Sequence, residues 1–318
     1  MSTVPAVTDG ELSLSLDEPR ARVKAICGAK AACLAVARHA DLPVLPGFVV
    51  TTAAHEQYLN AGRKVPQHVA AAIRPAWASV SRDGAISLVV RSSSTIEDAG
   101  TSSMAGRFRS VLNVRGWEAF LDALRRVLTS ADEVGDPTEL NPMAVLVQPL
   151  LAPPRGGVLF GVDPVSGDSG HVVVEAVAGG PDALVSGRVS AQHYVASLRG
   201  RVLTVDHRPH RPLAARHNGG RLLSNSDVRA LARLAARANR VFGGPQDVEW
   251  AFDSENSLWL LQSRPVTATG TATHAAGPVL GPGPVAETFP DPLSPLETDM
   301  WVSPLAERHC GCTEGDTS

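Results

Sequence analysis

The stretch "DVEWAFDSENSLWLLQSRPVT", residues 247–267, sets two acids, an amide and an arginine inside two otherwise apolar runs. Read as strands, its side chains alternate between two faces. Val248, Trp250 and Phe252 then share one face, while Asp247 and Glu249 share the other. Residues Asp253 to Ser257 read as a hairpin loop. The second run puts Gln262 and Arg264 on one face and Leu261 on the opposite one. If the runs pair in register, Asp247, Glu249, Gln262 and Arg264 line one surface. Two carboxylates beside an amide oxygen suit a hard cation such as magnesium. A guanidinium next to them suits the phosphate oxygens that such a cation accompanies. Alone, the stretch also fits the solvated face of an ordinary antiparallel hairpin. The rest of the chain has to decide between the two.

The 318 residues are 44% hydrophobic and 19% charged, which describes a globular chain with room for one large domain or two modest ones. A net charge of −3 offers no broad footprint for nucleic acid or an anionic membrane. No apolar run approaches the length of a bilayer span, and the first twenty residues lack a signal-peptide pattern. A cytoplasmic protein is expected. Cys27, Cys33, Cys310 and Cys312 show no disulfide spacing, and the first two are expected to pack as small apolar residues. His309, Cys310 and Cys312 are possible soft-metal ligands without a second cluster to complete a site. Lysine is confined to Lys24, Lys30 and Lys64, which draws attention to Lys30.

Along the chain, a turn at Gly28 leads into a helix over 29–40, stopped by Pro43, and "PGFVVTT" is a short strand. Residues 67–82 read as a helix interrupted or bent near Pro75. "ISLVVRSSS" is a buried strand that runs into a polar loop. "GWEAFLDALRRVLTSA" is an amphipathic helix with Trp117, Phe120, Leu121, Leu124 and Leu128 on one stripe. Four short β-runs follow, then the helix "SDVRALARLAARANRVF", capped by Ser224 with Asp227 and ended by "GGPQ". Helices mixed with antiparallel strands predict α+β layers and not a doubly wound sheet. The expected organisation is an N-terminal extension over 1–19, a folded body over 20–267, and a Gly/Pro-rich linker and tail over 268–318.

Several segments are candidates for handling phosphate. Arg91 ends a strand before the Ser-, Thr- and Gly-rich loop that closes on Met104-Ala105-Gly106. It is not a Walker loop, and any surface turn has a similar composition. Lys30 stands near a helix N-terminus, where anions are already favoured. Arg107 and Arg109 alternate along the strand after the loop. Gln148 is a candidate hinge residue against an adenine edge, and Asp182 a candidate for ribose hydroxyls.

These segments occur together and in one order. On "CGAKAACLAVARHADLPVLPGFVVTT", "VVRSSSTIED…SSMAG", "GVLFGVDPVSGD" and "DVEWAFD…LWLLQSRPVT", the chain resembles the N-terminal ATP-binding domain of the pyruvate phosphate dikinase and phosphoenolpyruvate synthase family, rifampicin phosphotransferase-like members included. The resemblance runs from about Ile26 to Thr267. It implies an ATP-grasp-like fold of two α+β lobes around a nucleotide cleft, with ATP and Mg2+ as cofactors. It implies that Lys30 and Arg91 contact phosphate, that Glu249 and Gln262 contact magnesium or phosphate with Asp247 beside them, and that Arg264 stabilises the transferring phosphoryl group. The implied activity is an ATP-dependent phosphotransferase of the dikinase type, which phosphorylates a histidine carrier domain that these residues do not contain. "THAAG", 273–277, lacks the context of a carrier histidine. Two local departures are Ala29 and Ala31 where the family has glycines, and "GGPD" where it has "GLGE". They keep a second reading open, that of a nucleotide-binding module without turnover. A truncated gene product is a third.

Overall fold

The computed structural model describes residues 11–95, 109–133, 142–164, 167–181, 184, 191–207 and 221–266. The chain divides into two units, Met1–Thr273 and His274–Ser318, and every described residue belongs to the first.

Two antiparallel sheets organise that unit, so the α+β expectation stands. The first has the order β1-β2-β5-β3-β4, with β1 at Ser13–Ser15, β2 at Phe48–Val50, β3 at Leu88–Ser94, β4 at Ser110–Val114 and β5 at Met143–Pro149. The second has the order β11-β10-β6-β7-β8-β9. Its strands are β6 at Arg155–Phe160, β7 at His171–Ala178, β8 at Gln192–Ser197, β9 at Val202–His207, β10 at Gln246–Phe252 and β11 at Leu258–Pro265.

Strand alternation sends the side chains of the first sheet into two different cores. Phe48, Val50, Leu88, Val90, Val145 and Val147 pack with helices α3, Gln67–Ser81, and α4, Trp117–Thr129. Val49, Ala144 and Leu146 face the other way, onto helix α1, Lys24–His39. That second core runs on through α1 to Leu159, Val174, Trp250 and Leu260 of the second sheet and to helix α5, Asn225–Phe242. Helix α1 therefore fastens one sheet to the other. Its small residues, Ala31, Ala35 and Ala37, are fully buried and permit close packing on both sides.

Some expectations are corrected here. Within the expected extension, residues 13–15 form β1, which pairs with β2, and Leu14 and Leu16 are buried, because this apolar alternation completes the sheet edge. Helix α3 is not interrupted at Pro75. Pro75 and Ala71 lie on the exposed side, where the carbonyl that loses its N–H partner can meet water, while Val69, Ile73 and Trp77 hold the buried side. Strand β3 runs through Ser94, as the buried run "ISLVVRSSS" predicts, so Arg91 lies within the strand and not at its end. Helix α2, Thr52–Asn60, was not foreseen; it is short and buries only Thr52, Ala54, His55 and Tyr58. The capping box of α5 is as expected: Ser224 Oγ accepts from Asp227 N at 3.2 Å, and Asp227 Oδ2 accepts from Ser224 N at 2.9 Å. Gly243 then ends the helix in the left-handed region at φ +75°.

Candidate functional site

The loop 253–257 forms as expected. Asp253 Oδ1 accepts the amides of Glu255 and Ser257 at 2.9 and 2.8 Å, and Oδ2 accepts Trp259 Nε1 at 2.8 Å. The Trp259 bond is the largest of the effects that hold the Asp253 carboxyl below its usual range. Pairing begins with Phe252 opposite Leu258, Ala251 opposite Trp259 and Trp250 opposite Leu260. Continued without a break, that register would set Gln262 against Val248, on the core face. It does not continue. The pairing shifts between Glu249 and Trp250, so that Glu249 faces Gln262 and Asp247 faces Arg264. Leu261 is the extra residue of a β-bulge. The bulge is what places all four polar side chains on one face, away from buried Val248, Trp250 and Leu260. Val158 and Phe160 of β6 extend the same face, opposite Glu249 and Asp247.

Arg91 reaches this face from the other sheet. Its Nη2 donates to Gln262 Oε1 at 2.9 Å and lies 3.8 Å from Glu249 Oε2. Its Nη1 donates to the Leu261 carbonyl at 3.3 Å, so the bulge also supplies an acceptor. Arg91 and Glu249 keep only 19% and 22% of their side-chain exposure, which makes their interaction stronger than that of a fully solvated pair.

Two residues along β3, on the same face as Arg91, Ser93 ties the sheet to α1. Its hydroxyl accepts from Ala31 N at 3.0 Å and donates to the Cys27 carbonyl at 2.7 Å. The junction requires Gly28, whose φ of +71° and ψ of 173° break α1, and whose added Cβ would lie 1.8 Å from Ser93 O. Burial pushes the neighbouring Cys27 thiol up to about 12. On the next turn Cys33 Sγ donates to Ser263 O at 3.1 Å, between Gln262 and Arg264 on β11. Cys27 thus packs in the core as expected, while Cys33 is only partly buried. Lys30 is half-buried, one residue before the amide that Ser93 receives. Ala29 and Ala31, which replace family glycines, are buried, and Ala31 belongs to the core.

The remaining candidates separate. Arg264 Nε donates to Asp247 Oδ2 at 2.7 Å, and Asp247 is only 8% exposed, so this acid already serves an arginine. Gln148 is not a cleft residue. It is 3% exposed on β5, and its Nε2 donates to the Leu45 carbonyl at 3.0 Å, because a buried amide needs a backbone partner. Arg109 is exposed just before β4. Asp182, Arg107, most of the Ser- and Gly-rich loop, "THAAG", and the set His309, Cys310 and Cys312 lie outside the described residues. Gly167 N donates to the Asp163 carbonyl at 2.8 Å, and Asp163 N to the Asp168 carbonyl at 3.0 Å. Ser93 is the organising residue that the sequence reading missed; its signal is the two-residue spacing from Arg91.

The donor set fits magnesium in type. A carboxylate and an amide oxygen stand opposite one another, although the described residues hold no group of three or more His, Cys, Asp or Glu placed to bind a metal ion. Magnesium commonly takes one or two protein oxygens and leaves its other positions to water and phosphate. Among the described residues no helix is long and apolar enough to cross a membrane.

The sequence matches the family described as "Pyruvate phosphate dikinase, AMP/ATP-binding domain" over residues 61–279. It is 30% identical to the prodigiosin synthesizing transferase PigC of Serratia marcescens, covering 76% of this chain and 31% of that protein. It is 28% identical to a probable phosphoenolpyruvate synthase of Methanothermobacter thermautotrophicus, over 78% of this chain and 45% of the relative. It is 31% identical to a rifampicin phosphotransferase of a Streptomyces species, over 74% and 30%. The chain therefore spans less than half the length of these relatives. Among solved structures, it resembles a dinucleotide-forming acetyl-coenzyme A synthetase of Ca. Korarchaeum cryptofilum at 13% identity and TM-score 0.40, over 80% of this chain and 93% of that one. The ATP-grasp ligase PsnB is similar at 13% identity and TM-score 0.35, over 80% and 56%.

Proposed function

We propose a function from one premise: this chain belongs to the pyruvate phosphate dikinase AMP/ATP-binding domain family. The chain binds Mg-ATP against the polar face of the β10–β11 ribbon and transfers a phosphoryl group to a histidine of a carrier domain outside the described residues. The observation that carries this reading is the grip of Arg91, from one sheet, on Gln262 and toward Glu249 of the other. Two sheets meeting through a guanidinium, an amide oxygen and a carboxylate supply both signs of charge that a metal-chelated triphosphate needs.

In this reading Glu249 and Gln262 would hold the magnesium, which would supply charge neutralisation at the phosphates. Arg91 and Lys30 would contact phosphate, Lys30 from the first turn after Gly28. Arg264 is oriented by Asp247, so Asp247 positions an arginine more than it ligates metal. Fixed positive charge next to the transferring group is the main electrostatic contribution expected in phosphoryl transfer. Val158 and Phe160 offer an apolar floor beside the acids for the nucleoside. Ala31 does not count against nucleotide binding in this reading, because it is fully buried in the core.

The test mixes the purified chain, Mg-ATP and a histidine carrier domain from a family member, and looks for phosphohistidine and AMP. Phosphohistidine that depends on Arg264 supports the proposal. Calorimetric ATP binding with no phosphohistidine on any carrier would leave a binding module, and no binding at all would refute both readings.

A further inference from the structure

We propose a second anion site at the edge of the second sheet opposite the ribbon, one that takes a phosphate or pyrophosphate group. Four arginines surround one cavity of about 290 Å³ there. Arg199 and Arg201 come from the turn between β8 and β9, Arg221 precedes α5, and Arg229 lies on α5. Among the described residues, none of the four guanidinium groups has a hydrogen-bond or ion-pair partner. The carboxylate two residues before Arg229 is already engaged: Asp227 accepts from the Ser224 amide, and its other oxygen lies 3.2 Å from Arg155.

The four arginines are exposed, but the turn that carries Arg199 and Arg201 is fixed against α5 by its backbone. Gly200 sits in the turn at φ +75°, and a Cβ there would lie 2.5 Å from the Cα of Arg229. Only a glycine lets the turn seat so closely on the helix. Ser197 holds the turn, its carbonyl accepting from Gly200 N at 2.7 Å and its hydroxyl accepting from Arg201 N at 3.1 Å. Four like charges facing one small cavity repel each other, in a chain whose net charge is −3. An anion reverses the sign of that interaction. Planar guanidinium forks match the tetrahedral oxygens of phosphate, whereas lysines would offer only point charges. The site lies across the breadth of the six-stranded sheet from Arg264 and is independent of the function proposed above.

Calorimetry with pyrophosphate, without metal, tests it on the intact chain. The comparison is between the native protein, Arg221→Gln with Arg229→Gln, Arg199→Gln with Arg201→Gln, and Arg91→Ala. Both glutamine pairs are expected to weaken binding roughly tenfold or more, while Arg91→Ala retains it. The second pair keeps the test valid should the first fail to fold. Parallel titrations with inorganic phosphate and ribose 5-phosphate distinguish a free anion from an esterified one. Absence of binding by the native protein, loss confined to Arg91→Ala, or binding that vanishes at about 0.15 M salt would overturn the assignment.

Discussion

At Gly28 one hydrogen atom in place of a methyl group decides how two elements join. Its left-handed φ and its approach to the Ser93 carbonyl both exclude a side chain. Gly28→Ala should cost at least about 3 kcal/mol in urea unfolding, combining backbone strain with a clash that neither partner can relieve. A cost below about 1 kcal/mol would show that the junction yields. Within the ribbon, Arg264→Ala should lower turnover more than ATP affinity, since its charge is placed for the transferring group. Lys30→Ala should lower both, as a ground-state phosphate contact would. Steady-state kinetics alongside calorimetry separate these outcomes, and equal, negligible effects would count against both roles. That Glu249, Gln262 and Arg264 supply the polar groups of one ribbon was legible in residue type and order. The role of Gln148 was misread, because a glutamine in a strand looks the same in sequence whether its amide meets a ligand or a buried carbonyl.

Elements with strong periodicity were read well. Helix α4 buries Phe120, Leu124 and Leu128 as its stripe required, with Ala123 and Val127 completing the face. Helix α5 carries its start and stop signals in local hydrogen bonds, so sequence alone sufficed. Ser224→Ala removes one half of the capping box and should cost about 1 kcal/mol by chemical denaturation. Asp227→Asn should cost more, because that carboxylate also faces Arg155 across 3.2 Å. A smaller loss for Asp227→Asn than for Ser224→Ala would mean that the ion pair contributes nothing. Elements that depend on distant partners were harder to see. Strand β1 has three residues and exists because β2 offers it an edge. Helix α2 has little apolar stripe of its own and is held by tertiary contacts, among them Tyr58 Oη and Thr129 Oγ1 at 2.8 Å.

For the whole molecule, the consequential feature is that α1 belongs to both sheets. It meets the first through Ser93 and the second through Cys33 and Ser263, so the distance between the cationic strand and the acidic ribbon is set by one helix. A ligand held between them should stabilise the unit as a whole. Mg-ATP at about a hundred times its dissociation constant should add about 2.7 kcal/mol and raise the unfolding midpoint by roughly 5–10 °C. Glu249→Gln combined with Arg264→Ala should abolish most of that rise in a thermal melt. An undiminished rise would place the nucleotide elsewhere.

The sequence by itself determined the α+β class, the hairpin with its five-residue loop, and the residue types that can carry phosphate and magnesium, because periodicity, turn chemistry and side-chain charge are local properties. It could not determine that these groups share one surface. With a loop of that length, an unbroken ladder would have turned Gln262 into the core; the bulge at Leu261 turns it out again. Whether a ladder slips by one residue is decided by what packs on each face: here the core demands Trp250 and Leu260 on one side, and Arg91 engages Gln262 and the Leu261 carbonyl on the other. Those partners lie about 170 residues apart in the chain, so only the tertiary structure brings them to bear on one another.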